Sequence, residues 1–99
     1  MEKGGCVYMM SNSYNTVVYV GVTSDLVSRV IQHKEKMYPQ SFTAKYNCSK
    51  LVFYYCFHTI EEAKAEELRI KGGNRAKKNE MINSMNESWS DLWEVIKNW

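Results

Sequence analysis

Two short runs of β-branched and aromatic residues, separated by only five polar ones, constrain this chain more than anything else in it. Residues 5–10 (Gly-Cys-Val-Tyr-Met-Met) and 16–22 (Thr-Val-Val-Tyr-Val-Gly-Val) have strand composition, and Ser11-Asn12-Ser13-Tyr14-Asn15 between them reads as a loop. So short a connection predicts an antiparallel hairpin. The 99 residues suit one domain, spanning 1–99. A chain of this size needs large side chains to build a core, and it has seven Tyr, three Phe, three Trp and six Met.

Beyond the hairpin, Thr23-Ser24-Asp25 offers capping chemistry for a helix over about 25–36, which Tyr38-Pro39 ends. Residues 39–50 are polar and read as loop. Leu51 to Phe57 is a dense apolar run, the third strand. Thr59 and Glu62 have the spacing of a capping box and open a second helix, interrupted or closed by Gly72-Gly73. Residues 75–84 add a further helical piece. Ser88 or Ser90 can cap a last helix whose Trp89, Leu92, Trp93, Ile96 and Trp99 recur at three- and four-residue steps, a core-packing stripe. The order β-β-α-β-α plus C-terminal helical segments predicts an α+β fold: a small, three-stranded, mainly antiparallel sheet flanked by helices.

No apolar run approaches the roughly 20 residues that span a bilayer, and no secretory leader pattern opens the sequence. A cytoplasmic protein without membrane contact is expected. Cys6, Cys48 and Cys56 are odd in number and lack a CxxC pair, so buried thiols in a reducing compartment are expected. A zinc site using them with His33 and His58 lacks paired ligand spacings. The net charge of +2 does not announce a polyanion binder. Its distribution is more suggestive: Lys64, Arg69, Lys71, Arg75, Lys77 and Lys78 crowd one stretch, and Lys34, Lys36, Lys45 and Lys50 form a second scatter. A solvated helix face is the commoner origin of such runs; the alternative is a contact surface for a nucleic-acid backbone.

Several polar residues fall where apolar ones belong. On the second helix Ile60, Ala63 and Ile70 mark one side of the apolar arc and Leu68 the other, and Glu67 lies inside it. A carboxylate facing a core needs an ion-pair partner, for which Lys64 and Lys71 are placed, or a bound cation. On the first helix Arg29 and His33, four apart, edge the arc of Leu26, Val27, Val30 and Ile31. Asp25 could form a plain surface pair with Arg29. Among the strands, Tyr8 shares a face with Cys6 and Met10, and Tyr19 with Val17 and Gly21. A glycine inside a strand marks a bulge or a place of close approach.

Taken in order, these residues resemble the GIY-YIG nuclease superfamily. Gly5-Cys6-Val7-Tyr8 and Tyr19-Val20-Gly21 are similar to its two strand motifs, with Cys6-Val7 and Val20 at packing positions where the family carries other residues. The similarity runs on through Val22 to Leu26, Arg29 to Lys34, Phe42 to Tyr46, Leu51 to Tyr54, Glu67 to Gly72, Arg75 to Lys78, Met81-Ile82 and Ser88 to Leu92, as in the short stand-alone bacterial members. The resemblance implies a metal-dependent endonuclease hydrolysing DNA, in repair or DNA processing, in which one of Tyr8 and Tyr19 helps activate water and Arg29 contacts the scissile phosphate. His33 would assist proton transfer or position a tyrosine, and Glu67 would hold one Mg²⁺ or Mn²⁺. Some members use an asparagine after the metal glutamate, for which Asn79 is the candidate. Lys34, Lys45, Lys71, Arg75, Lys77 and Lys78 would hold the nucleic-acid backbone, with DNA favoured over RNA and the choice between them open. The competing readings are a non-catalytic nucleic-acid-binding module or adaptor of a repair complex, and a protein-interaction domain using the tryptophan stripe. Oligomeric state, protein partners and the preferred nucleic-acid structure stay open.

Overall fold

The first strand takes the centre of the sheet. In the computed structural model, which describes residues 4–99, β1 (Gly5–Ser11), β2 (Val18–Thr23) and β3 (Lys50–Phe57) form an antiparallel sheet of order β2-β1-β3. β2 begins two residues later than the composition suggests, because Asn12 organises the loop. Its Oδ1 accepts the Thr16 and Val17 N–H groups, and its Nδ2 donates to Thr16 Oγ1.

Every residue of β1 is buried, as a strand covered on both faces must be. On one face Cys6, Tyr8 and Met10 pack with Leu26 and Val30 of helix α1 (Leu26–Lys34) and with Leu51 and Ile96. On the other, Val7 and Met9 pack with Val20 and Phe53, with Ile70 of α3 (Ile60–Lys71) and with Ile82 of α4 (Arg75–Met85). α3 opens with the full capping box of Thr59 and Glu62. Asp25 caps α1, its carboxylate accepting the Ser28 N–H and hydroxyl, and so forms no pair with Arg29.

A register shift between Met9 and Met10 leaves Val52 as an extra residue in β3. The segment around this bulge seats the C-terminal chain. Val52 C=O accepts Asn86 Nδ2, Leu51 C=O accepts the Leu92 N–H, and the Leu51 N–H donates to Asp91 Oδ1. Asp91 in turn binds the Lys34 ammonium at the end of α1.

Several expectations need correction. Residues 39–50 contain a short helix, α2 (Phe42–Lys45), with Ser41 Oγ accepting the Ala44 N–H. The last helix, α5, spans only Trp93–Ile96, with no side-chain cap, and Ser90 hydrogen-bonds Asn86 instead. Trp89 turns through a positive φ of 55°, so the tryptophans do not share one helical face. Trp89 packs against the α3–α4 side, Leu92 and Trp93 against the α1 side, and Trp99 edge-on to Tyr54. Leu68, read as one margin of an apolar arc, is exposed. Lastly, Cys6 and Cys56 are a disulfide and only Cys48 is a buried thiol. The β1–β3 register sets Cys6 directly opposite Cys56, with Cα atoms 4.0 Å apart, a proximity that a separation of 50 residues hides in the sequence. Among the described residues, no helix is long and apolar enough to cross a membrane.

Gly5 sets how closely α3 approaches the sheet. A Cβ there would lie 2.6 Å from Ile60 Cδ1 and 2.8 Å from Ile60 Cα, and the backbone atom cannot rotate away. Gly5→Ala should push the start of α3 off β1 and destabilise the fold by about 1–3 kcal/mol. A lowered urea midpoint with an unchanged m-value would show it.

Candidate active site

The hairpin register pairs Tyr8 with Gly21, and the Tyr8 ring lies across that glycine. A Cβ on Gly21 would sit 2.5 Å from the Tyr8 hydroxyl, 2.6 Å from Cζ and 2.9 Å from Cε2 of Tyr19. The close approach expected at this position is therefore made by the two tyrosine rings themselves. Tyr8 Oη lies 2.8 Å from Nε2 of His33, at the last turn of α1, and His33 Nδ1 lies 2.8 Å from Oγ1 of Thr43 on α2. The rings of Tyr8, Tyr19 and His33 form a triangle, with centroids 5.6–6.3 Å apart.

Burial sets the protonation states. The Tyr8 phenol is pushed above the ordinary tyrosine range, chiefly by desolvation and then by Tyr19; the Arg29 guanidinium opposes this and the Glu67 carboxylate adds to it. His33 is pushed down to about 4, first by desolvation and then by Arg29. At neutral pH the pair is a phenol and a neutral imidazole. Such an imidazole carries one N–H and one lone pair, and a hydroxyl at each nitrogen satisfies both. His33 is thereby fixed in orientation, with neither nitrogen left to take a proton from a substrate.

Arg29, one turn before His33, opens onto a pocket of about 140 Å³ that it lines with Tyr19, Gln32, His33, Phe42 and Thr43. Because Asp25 is spent on the helix cap, Arg29 pairs with no carboxylate among the described residues. A guanidinium without a counter-ion beside a half-buried phenol suits a phosphate, whose geometry matches two parallel N–H donors.

Glu67 reaches the same neighbourhood from the other face of the sheet, where α3 crosses β1 and β2. Its side chain is 17 % exposed, Oε2 is 3.1 Å from Nζ of Lys71, and its charge is felt by Tyr8. Lys71 borders, with Lys78, Tyr19 and Phe42, a second pocket of about 250 Å³. Tyr19 and Phe42 thus stand between the Arg29 pocket and the Lys71 pocket. Among the described residues no three His, Cys, Asp or Glu side chains cluster as a metal-ligand set. Of the site residues expected from the sequence, Glu67 is the carboxylate. That fits a Mg²⁺-like ion whose remaining ligands are water and substrate phosphate, and no cation that needs an all-protein cage.

The six basic residues expected along a nucleic-acid backbone divide into two groups. Lys34 is held by Asp91 and the Ser49 carbonyl, and Lys71 by Glu67. Arg75 donates to the carbonyls of Asn15 and Thr16 and to Asn79 Oδ1, clamping the hairpin loop and occupying the Asn79 amide oxygen. Lys45, Lys77 and Lys78 have no side-chain partner among the described residues. The sequence gives Phe42 and Thr43 no role of their own, although they fall in a segment of the family resemblance, because residues 39–50 read as loop. Ser41 immediately before Phe42-Thr43-Ala44-Lys45 was the available helix-start signal.

A hairpin carrying paired tyrosines, with Arg29 and His33 on one flanking helix and Glu67 on another, defines a GIY-YIG-type domain. The GIY-YIG catalytic domain matches residues 4–80, and the chain belongs to that family, a family of endonucleases. The fold is similar to the solution NMR structure of a UPF0213 protein from Bacillus halodurans, with a TM-score of 0.57 and 22% identity, over 94% of this chain and 97% of that one. No curated protein sequence matches significantly.

Two outcomes test this geometry. Gly21→Ala should displace the Tyr8 phenol from His33, and the His33 pKa read by NMR should rise from about 4. In the folded protein that pKa lies below the ordinary histidine value of 6.5, so the unfolded chain takes up the proton first. The resulting stability is present above pH 6.5 and is lost as pH falls toward 4. Melting temperature should therefore decline across that window, and less steeply in His33→Gln.

Proposed function

We propose that this protein is a metal-dependent endonuclease that hydrolyses phosphodiester bonds in DNA, in repair or another DNA-processing step. The observation that carries the reading is the unpaired Arg29 guanidinium, opening with Tyr19 onto a pocket beside the buried Tyr8–His33–Thr43 chain. Arg29 binds the non-bridging oxygens of the scissile phosphate and offsets the charge that grows on them. Tyr19, half-buried and bordering both pockets, orients the attacking water. Tyr8 and His33 are positioning residues: the phenol stays protonated, and the imidazole is held between two hydroxyls. Glu67 would hold one Mg²⁺ or Mn²⁺ in place of its present partner Lys71, leaving the Lys71 ammonium free for a flanking phosphate. A bound divalent cation supplies Lewis-acid stabilisation of the phosphoryl oxygens and lowers the pKa of the attacking water. Lys45, Lys77 and Lys78 attract the backbone without reading sequence.

One observation favours a second reading. The Glu67–Lys71 ion pair satisfies the carboxylate without a metal, as an adaptor that binds nucleic acid or joins a repair complex without cutting would require.

Incubation of supercoiled, branched and single-stranded DNA with Mg²⁺ or Mn²⁺ separates the two. The parent protein should cut. Arg29→Ala and Glu67→Ala should each lower the rate by roughly 10²–10³-fold, with melting temperatures close to the parent's. DNA binding without cutting by the parent, unaffected by Glu67→Ala, would establish the adaptor.

A further inference from the structure

Tyr19 is the first rung of a ladder that leads out of the pocket. Phe42 stacks on it, with centroids 6.0 Å apart and planes at 29°, and Tyr46 follows with its centroid 4.7 Å away and its plane tilted by 45°. Phe42 is 45% exposed and Tyr46 48%, so part of each ring meets solvent. α2 turns Thr43 and Ala44 inward and leaves these two rings, one helical turn apart, on its outer side. The Tyr8–His33–Thr43 chain needs neither ring.

The charge around the ladder narrows what can cover it. Phe42 borders the Arg29 pocket on one side and the Lys71–Lys78 pocket on the other. Lys45 projects from the same short helix without a side-chain partner among the described residues. Aromatic faces in a row with cations on both sides suit an unpaired base in a polynucleotide: the rings take the base and the cations take the phosphates before and after it. A base inside a duplex already has both faces stacked and cannot use the platform.

We infer that Tyr19, Phe42 and Tyr46 form a stacking platform for an unpaired nucleobase next to the phosphate held at Arg29, making single-stranded DNA the preferred substrate over duplex. The inference takes the position of the cleaved bond from the nuclease reading, but the binding it describes does not require cleavage.

The test uses the full chain and a short single-stranded oligonucleotide with 2-aminopurine at successive positions, in low salt. Phe42→Leu keeps an apolar side chain against Tyr19 and removes the aromatic face; Phe42→Trp keeps one. With the parent and Phe42→Trp, 2-aminopurine fluorescence should be quenched at one position. Phe42→Leu should abolish that quenching and weaken single-strand binding about tenfold, the factor expected for one base–aromatic stack. An abasic nucleotide at that position should weaken binding to the parent by a similar factor and leave binding to Phe42→Leu unchanged, a coupling that mere misfolding would not produce. Position-specific quenching without any cleavage by the parent would remove the hydrolysis reading and leave the platform standing. Equal affinity of the parent for single strand and duplex, or the same loss at the abasic site in parent and Phe42→Leu, would overturn the platform.

Discussion

The Tyr8 phenol reaches His33 because its cross-strand partner, Gly21, has no side chain. That hydrogen bond ties the central strand to the end of α1, and the second imidazole nitrogen carries the tie on to α2 through Thr43. Three elements distant in sequence are fixed by one short chain of polar atoms in a desolvated space. Such a chain is strong where every member is satisfied. No side-chain N or O atom fully buried among the described residues lacks a hydrogen-bond partner. The position of Arg29, one turn earlier on α1, follows from the same anchoring.

The central strand lets the two covered faces of the sheet act on one place. Tyr8 lies on the α1 side, and Glu67 is carried by α3 on the other. Since β2 is an edge strand, groups on both faces can converge around it without crossing the core. Tyr19 stands on that edge strand between two pockets, and charges from both sides meet there. A deeper strand could not serve in this way.

What was legible in the sequence depended on how local its cause is. The hairpin, the Thr59–Glu62 cap and the close approach at Gly21 follow from neighbouring residues, and the structure has them. Glu67 stood out because helical periodicity placed a carboxylate inside an apolar arc. The Cys6–Cys56 bond, the Lys34–Asp91 pair and the Arg75 clamp are set by register and docking between segments tens of residues apart, which periodicity does not encode. α2 escaped because four residues barely exceed one helical turn, and Trp89 because its left-handed backbone breaks the stripe its spacing suggests. The basic residues of one stretch looked alike as charges. Their partners separate Arg75, a brace, from Lys77 and Lys78, whose side chains hold no partner among the described residues.

The Arg75 clamp also bears on the order of assembly. The Asn12 contacts close the hairpin loop over four or five residues, an inexpensive closure available as soon as the first two strands meet. The Arg75 guanidinium reaches the same loop across 59 and 60 residues, so its grip waits until α4 has docked. The hairpin bearing both tyrosines is thus closed by its own loop residues and braced by a helix that lies far from it in the chain.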